Sequence, residues 1–389
     1  MRIKPILSII VPCFNCEDTV KETVESLYSE SLNVPFETIF VNDGSTDGTA
    51  KLLSQFKSSY SNSRIFTHEN NKGGGAARNT GIQAAKGRLI FCLDSDNILI
   101  PSSISKMIAF LDEEKLDGVA FHKRHFFIGS HRSIGSVHTN PVRDSSFTLE
   151  NVFDGSGILL DNFLCTKKAV LQAGGYPENH GFDTQAFEVR YLSKGLSVRT
   201  CPDTHSYHRQ RAKNRSYFER VYEDGEQSRN YYLIFEEIFH LFSRKVQQHI
   251  IEFDIFTNNT LQNDLFSSLC REFKRDRKSF FASKEKKPKK SVGDIWSKAV
   301  EDFTHGRYSQ AIEKYESLQK DGINSKILYW NILRNLTAMR SDVNAVDIEK
   351  EVDRIISQLR FVLQKSMLRK PIVTLALSRL GRSITALKI

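Results

Sequence analysis

Apolar positions in the first 130 residues follow two alternating rhythms. The runs at 6–11, 36–41, 64–67 and 88–93 are short and nearly continuous, as expected of strands buried on both faces. Between them the spacing turns helical: first Val20, Val24, Leu27 and Tyr28, then Leu52, Leu53 and Phe56. A third helix is opened by Gly73-Gly74-Gly75 and runs through Ala84. Strands alternating with helices predict an α/β fold with a mostly parallel central sheet. Residues 117–215 predict mixed strands and loops with one helix near 184–194, and 216–281 are mainly helical and rich in aromatics. Residues 291–389 are expected to be helical throughout.

Two strands end in acidic turns, Asn42-Asp43-Gly44-Ser45-Thr46-Asp47 and Asp94-Ser95-Asp96. Open α/β sheets bind ligands in the crevice outside the carboxyl ends of their strands, so these acids mark the expected site. Two carboxylates one residue apart can hold a hard divalent cation and leave coordination positions for phosphate oxygens. Asp43 could accept a hydrogen bond from a nucleobase N–H, while Ser45, Thr46 and Asp47 suit capping of the next helix. In Asn70-Asn71-Lys72-Gly73-Gly74-Gly75-Ala76-Ala77-Arg78-Asn79-Thr80-Gly81, small residues permit close backbone approach to a ligand. The helix start together with Arg78 suits an anionic phosphate. A dinucleotide fingerprint is disfavoured, because Arg78 stands where its third glycine belongs and a second acid, Asp96, is present.

Length and composition set limits on the class. At roughly 100–200 residues per domain, 389 residues imply two or three domains. With 40% hydrophobic and 26% charged residues, a wholly disordered, collagenous or coiled-coil chain is excluded. No apolar run reaches the roughly 18–20 residues of a membrane span, and the first ten residues are too weakly apolar for a secretory signal, so a cytoplasmic location is expected. The six cysteines show no ladder of spacings and are expected to be reduced. Cys13-Phe14-Asn15-Cys16 lacks the second pair a zinc site would need and is read as packing. The net charge of +9 is concentrated: 271–290 carry +7 and 366–389 carry +5, leaving −3 for the rest. That distribution suggests a basic linker and tail facing a polyanionic surface, such as an anionic membrane, rather than a nucleic-acid binder.

From Ser8 to Asp96 the chain resembles the inverting family 2 glycosyltransferases of GT-A fold. The resemblance rests on Val11-Pro12-x-Phe14-Asn15, Val41-Asn42-Asp43-Gly44-Ser45-Thr46-Asp47, Arg78-Asn79-x-Gly81 and Leu93-Asp94-Ser95-Asp96 in that order. It extends over about 210 residues, through Gly174-Gly175-Tyr176-Pro177-Glu178. It implies a nucleotide-sugar donor, a UDP-sugar by preference, and a glycan, lipid-linked or protein-linked acceptor in surface polysaccharide synthesis. Pro12, Asn15, Asp43, Gly74, Arg78, Asn79, Asp94 and Ser95 would line the donor site, with Asp43 on the nucleobase. Asp94 and Asp96 would bind the diphosphate and its Mn²⁺ or Mg²⁺. His208 falls where relatives place a metal or diphosphate ligand, though a structural histidine remains an alternative. Counting back from Gly195, the family's Glu-Asp pair falls on Asp183-Thr184, so the second acid is missing. Asp183 then becomes the candidate base, with Glu188 and Asp161 as alternatives. His122, His125, His131 and His138 show no ordered ligand spacing and are read as surface or acceptor-side residues.

These readings divide the chain into a glycosyltransferase domain at 1–215, a helical extension at 216–270, a basic linker at 271–290 and a helical domain at 291–389. His305-Gly306-Arg307-Tyr308-Ser309-Gln310-Ala311-Ile312-Glu313-Lys314-Tyr315 resembles the core of one tetratricopeptide repeat. A generic helical bundle fits as well, and either would serve contact with a partner, the acceptor or a second copy in a homo-oligomer. Residues 372–389 form a basic amphipathic pattern that suits packing on the bundle or lying on anionic lipid. Two rivals stay open. One is a phosphohydrolase of the haloacid dehalogenase type, for which Ile98 stands where Thr or Val is needed. The other is a catalytically weak adaptor acting through the helical half.

Overall fold

The computed structural model describes residues 4–30, 32–129, 131, 134–156, 158, 160, 162–178, 182–210, 226–253, 264–282, 292–320, 328, 331, 332 and 335. Of the expectations above, Asp161, residues 283–290 of the linker and the amphipathic tail lie outside these residues. The chain divides into two units, Met1–Val221 and Tyr222–Ile389.

The first unit is built on eight strands: β1 (Leu7–Cys13), β2 (Phe36–Asp43), β3 (Ser63–His68), β4 (Leu89–Cys92), β5 (Gly118–Phe127), β6 (Ile134–Thr139), β7 (Leu164–Thr166) and β8 (Val198–Arg209). Their order is β3-β2-β1-β4-β7-β5-β6, with β8 pairing β5. The β1–β2, β1–β4, β2–β3 and β5–β8 pairs are parallel, and only β6 and β7 run against the rest. Seven helices accompany them: α1 (Val20–Leu27), α2 (Thr49–Ser59), α3 (Gly74–Ala84), α4 (Pro101–Glu114), α5 (Glu150–Phe153), α6 (Lys167–Ala173) and α7 (Asp183–Ser193). This is the expected α/β architecture with a mostly parallel sheet.

Strand periodicity sorts the core into two layers. Leu7, Ile9 and Val11 of β1 join Phe40, Leu89 and Phe91 in one cluster with α1 and α4. Ile10, Ile39, Val41, Ile90 and Cys92 point the other way, into a cluster with Ala77 and Ile82 of α3 and Phe187 and Tyr191 of α7. Each such buried side chain contributes roughly 1.5–3 kcal/mol, so two filled faces fix the register of the central strands. At the amino ends of the strands, buried Glu37 is satisfied by Ser8, Arg64 and the Lys86 amide. The carboxyl ends are left for the polar turns. Cys13 and Cys16 lie in the core, as the packing reading expects, and no disulfide joins any of the six cysteines.

Helices α5 and α6 were not anticipated. For α6 the local signals are present: Thr166 caps it by accepting from the Ala169 amide, and Gly174 closes it in the left-handed region.

The second unit contains α8 (Glu226–Glu237), α9 (Arg244–Glu252), α10 (Leu265–Arg275), α11 (Val292–Thr304) and α12 (Tyr308–Lys320). The linker expectation is corrected at its start. Leu265, Leu269 and Phe273 form a buried stripe, so Arg271–Arg275 belongs to α10, and Arg277–Ser279 forms a 3-10 turn before buried Phe280. Charge dominated the composition there, but the i, i+4 apolar spacing decided the structure. Helices α11 and α12 make a hairpin around Gly306 (φ 73°), with Trp296 against Tyr315 at 5.1 Å and Ala311 fully buried. No described helix is long and apolar enough to cross a membrane.

Gly75 and Gly81 set the seat of α3. A Cβ on Gly81 would lie 2.4 Å from Ile10 Cγ2, and one on Gly75 would lie 2.0 Å from the Pro177 carbonyl oxygen. At these two positions the small residues admit the protein's own strand and turn. Alanine in a helix gains about 1 kcal/mol over glycine. Gly75→Ala should nevertheless lose about 1–3 kcal/mol in urea denaturation, because a backbone carbonyl cannot step aside as a side chain can.

Candidate active site

At the carboxyl end of the sheet, α3 carries Arg78 inward beneath the β4 turn. Arg78 is 6% exposed, in a region where an unpaired charge is costly. Nη2 donates to Asp94 Oδ1 at 2.6 Å, Nη1 donates to Asp183 Oδ2, and the guanidinium lies 5.4 Å from the Tyr176 ring. Burial pushes the guanidinium down, but Asp183 and then Asp94 more than offset this and raise it. Gly74 leaves room for this clamp, since a Cβ there would meet Arg78 at 2.8 Å and Asp183 at 2.9 Å. The guanidinium expected to meet phosphate is thus occupied by two carboxylates.

Asp94 is held on both oxygens. Besides Arg78 on Oδ1, Oδ2 accepts from Asn162 Nδ2 at 2.8 Å and Asn97 Nδ2 at 3.3 Å. Burial alone would raise its carboxyl, but Arg78 and then Asn162 hold it below the usual range.

The β4 turn is fastened to β8 by Asn97, whose Oδ1 accepts from the Arg209 amide and whose Nδ2 reaches His208 Nδ1 at 3.2 Å. With the amide so oriented, Nδ1 is the acceptor and Nε2 carries the proton. Burial first, then Arg124, lowers the His208 imidazole to about 4, so it is neutral. In this arrangement the neutral His208 imidazole carries its proton on Nε2.

Other expected residues prove to be fasteners. Asp43 is 2% exposed; Oδ1 accepts from His68 Nδ1 (2.6 Å) and the Lys72 amide (2.9 Å), and Oδ2 from the Gly73 amide (2.8 Å). Three of its roughly four acceptor positions are therefore filled. Asn79 donates to the Tyr176 carbonyl and Glu178 Oε1 and accepts from the Tyr176 amide, pinning the 174–178 turn. Asn15, at φ 45°, accepts from the Thr46 amide at 2.8 Å. Pro12 sits half-buried near the end of β1, and the Ser95 carbonyl accepts from Thr19 Oγ1. Asp96 is half-exposed, and its carbonyl accepts from Arg209 Nε at 3.0 Å.

Three side chains were not legible from sequence. Asn97 was signalled only by adjacency to Asp96. Asn162 and Arg124 carried no local signal; Arg124 is 5% exposed on β5, and burial, opposed by Asp94 and Glu188, lowers its guanidinium to about 10. Glu188 on α7 is raised to about 8 by burial, against the Leu160 backbone and Arg124. Among the histidines, His125 Nε2 lies 2.9 Å from His205 Nδ1 and His131 Nδ1 lies 2.9 Å from Glu22. Among the described residues no three His, Cys, Asp or Glu side chains converge as a metal site. The fit for a divalent cation is consequently narrow, because both Asp94 oxygens already accept from protein donors, and Asp96 lies half-exposed in the same turn.

This polar cluster lies at the carboxyl edge of an α/β sheet, where such folds bind their ligands. Residues 8–161 match the family described as Glycosyl transferase family 2. The Escherichia coli UDP-Glc:alpha-D-GlcNAc-diphosphoundecaprenol beta-1,3-glucosyltransferase WfaP is 31% identical over 211 residues, covering 52% of this chain and 77% of that protein. The Bacillus spizizenii poly(ribitol-phosphate) beta-glucosyltransferase is 34% identical over 113 residues, covering 28% of this chain and 18% of that protein. Among solved structures, S. aureus TarS 1–349 in complex with UDP-GlcNAc shares the fold, with a TM-score of 0.51 and 18% identity over 90% of this chain and 91% of that one. The chain belongs to glycosyl transferase family 2 and is a glycosyltransferase.

The clamp yields a stability test. Arg78→Met leaves two carboxylates, each about a fifth exposed, facing each other without their cation. A loss near the lower end of the roughly 3–5 kcal/mol typical of broken buried pairs is expected in urea at pH 7. Because the Asp94 pKa is depressed in the folded state, its contribution is present above the ordinary carboxylate range. The gap between wild type and Arg78→Met should therefore narrow as pH falls below about 4.

Proposed function

We propose that the chain moves a sugar from a UDP-sugar to a hydroxyl of a surface glycan or lipid-linked glycoconjugate, with inversion at the anomeric carbon. The observation that carries this reading is the cluster of Asp43, Arg78, Asp94 and Asp183 at one sheet edge, with half-exposed Asp96 beside it. The name of the E. coli relative supports a UDP-linked donor and a diphosphate-lipid acceptor.

In this mechanism Glu188 takes the proton of the acceptor hydroxyl as its oxygen attacks the anomeric carbon and the bond to the diphosphate breaks. Glu188 is preferred over Asp183, whose carboxylate is committed to Arg78. A carboxyl raised to about 8 is strongly basic once it loses its proton. The Nε2–H of His208 offers a hydrogen bond to the departing diphosphate. A divalent cation, Mn²⁺ or Mg²⁺, held by Asp96 and the donor's phosphate oxygens, would neutralise charge on that leaving group. The remaining acceptor position of Asp43 is assigned to the nucleobase. The phosphohydrolase reading is disfavoured, because its nucleophile would be Asp94, whose two oxygens already serve three donors.

Release of nucleoside diphosphate from a panel of nucleotide sugars, with Mn²⁺ or with a chelator, tests the reading. Turnover with a UDP-sugar is expected, and silence with every donor contradicts it. For the base, kcat/KM should rise with pH to a plateau above about 8, and Glu188→Gln should lower kcat by roughly 10²–10⁴. If Glu188→Gln stays within threefold of wild type while Asp183→Asn is inactive, the base is Asp183. The sign for stability is opposite to that for activity. The folded state keeps a Glu188 proton that the unfolded chain has released, so stability falls as pH rises from about 4.3 to about 8. Glu188→Gln should flatten that decline.

A further inference from the structure

Asn162 combines three features that rarely coincide in a residue kept for packing. It lies in the connection before β7 and is 6% exposed, its backbone is left-handed at φ 51°, and its carboxamide oxygen is buried with no hydrogen-bond partner. A buried acceptor without a donor is destabilising, and left-handed backbone is unfavourable for every residue except glycine, although asparagine tolerates it best. The carboxamide nitrogen, by contrast, donates to Asp94 Oδ2 at 2.8 Å. Flipping the amide would set its oxygen against the carboxylate, so Asp94 dictates the orientation and the oxygen is left over. Unfavourable conformation and an unpaired polar atom gathered at one buried residue are the mark of a position kept for function rather than stability.

We propose that Asn162 is a positioning residue of the transfer reaction, holding the Asp94 carboxylate in the rotation that receives the donor. This rests on the UDP-sugar reading above. Arg78 fixes only Oδ1 and Asn97 reaches Oδ2 at the longer distance of 3.3 Å, so without Asn162 the carboxylate plane can turn about its Arg78 hydrogen bond. Asp94 next to Ser95 and Asp96 would then be misaligned, and the diphosphate placed by that turn with it.

The test compares wild type, Asn162→Gly and Asn162→Asp as full chains, by steady-state kinetics with the UDP-sugar and by urea denaturation. Glycine accepts the left-handed backbone and removes the unpaired oxygen, which offsets the lost hydrogen bond to Asp94, so Asn162→Gly should unfold at a urea midpoint close to that of wild type. Its kcat/KM for the donor should nonetheless fall roughly 10- to 100-fold, as for partners that orient a site carboxylate. Asn162→Asp keeps shape but brings a like charge to Asp94, and should lose at least as much. If Asn162→Asp does not fold, Asn162→Gly decides alone. An Asn162→Gly enzyme within twofold of wild type overturns the proposal, as does one that loses stability and activity together. A wild-type chain that transfers from no nucleotide sugar overturns the UDP-sugar reading and this proposal with it.

Discussion

The site depends on one buried cation. Arg78 draws together the β4 turn through Asp94 and the start of α7 through Asp183, two elements that do not otherwise share a sheet pairing. A guanidinium at 6% exposure is offset by the two carboxylates that face it, and its charge in turn holds the Asp94 carboxyl below the usual range. Every other polar choice nearby follows from that mutual requirement. Gly74 clears space for the clamp, Gly75 lets the 174–178 turn close over α3, and Asn79 ties that turn down. Asp94, once fixed, organises Asn97 and Asn162, and Asn97 in turn sets the tautomer of His208.

Much of this architecture was legible from local pattern. The central strands and α1 to α3 follow from apolar periodicity, because residues buried on both faces of a parallel strand leave no room for polar positions. The acidic turns fell at the carboxyl ends because that is where a doubly covered sheet opens to solvent. Partners distant in sequence were not legible from local pattern. Arg78 at a glycine-rich helix start looked like a phosphate ligand, yet its partner Asp183 is 105 positions away and no local spacing announces it. Asn162 and Arg124 were invisible for the same reason: each matters through a residue distant in sequence. The basic stretch after residue 270 shows the reverse error, where charge composition hid a buried stripe of Leu265, Leu269 and Phe273.

Family membership and geometry together suggest a division of labour within the first unit. Residues matching the shared motifs, namely Asn15, Asp43, Arg78 and Asn79, act mostly as fasteners that hold loops at the sheet edge. Helix α7 is where this chain is less typical of the resemblance: Thr184 stands in place of the second acid, and half-buried Glu188 lies one turn further along.

A crystal structure of the chain with UDP and Mn²⁺ tests the central claim most directly. The diphosphate should lie beside the Asp94–Asp96 turn, with a cation touching Asp96 and with Arg78 still bridging Asp94 and Asp183. Nucleotide bound away from that turn, or Arg78 released from both carboxylates to grip phosphate, would contradict it.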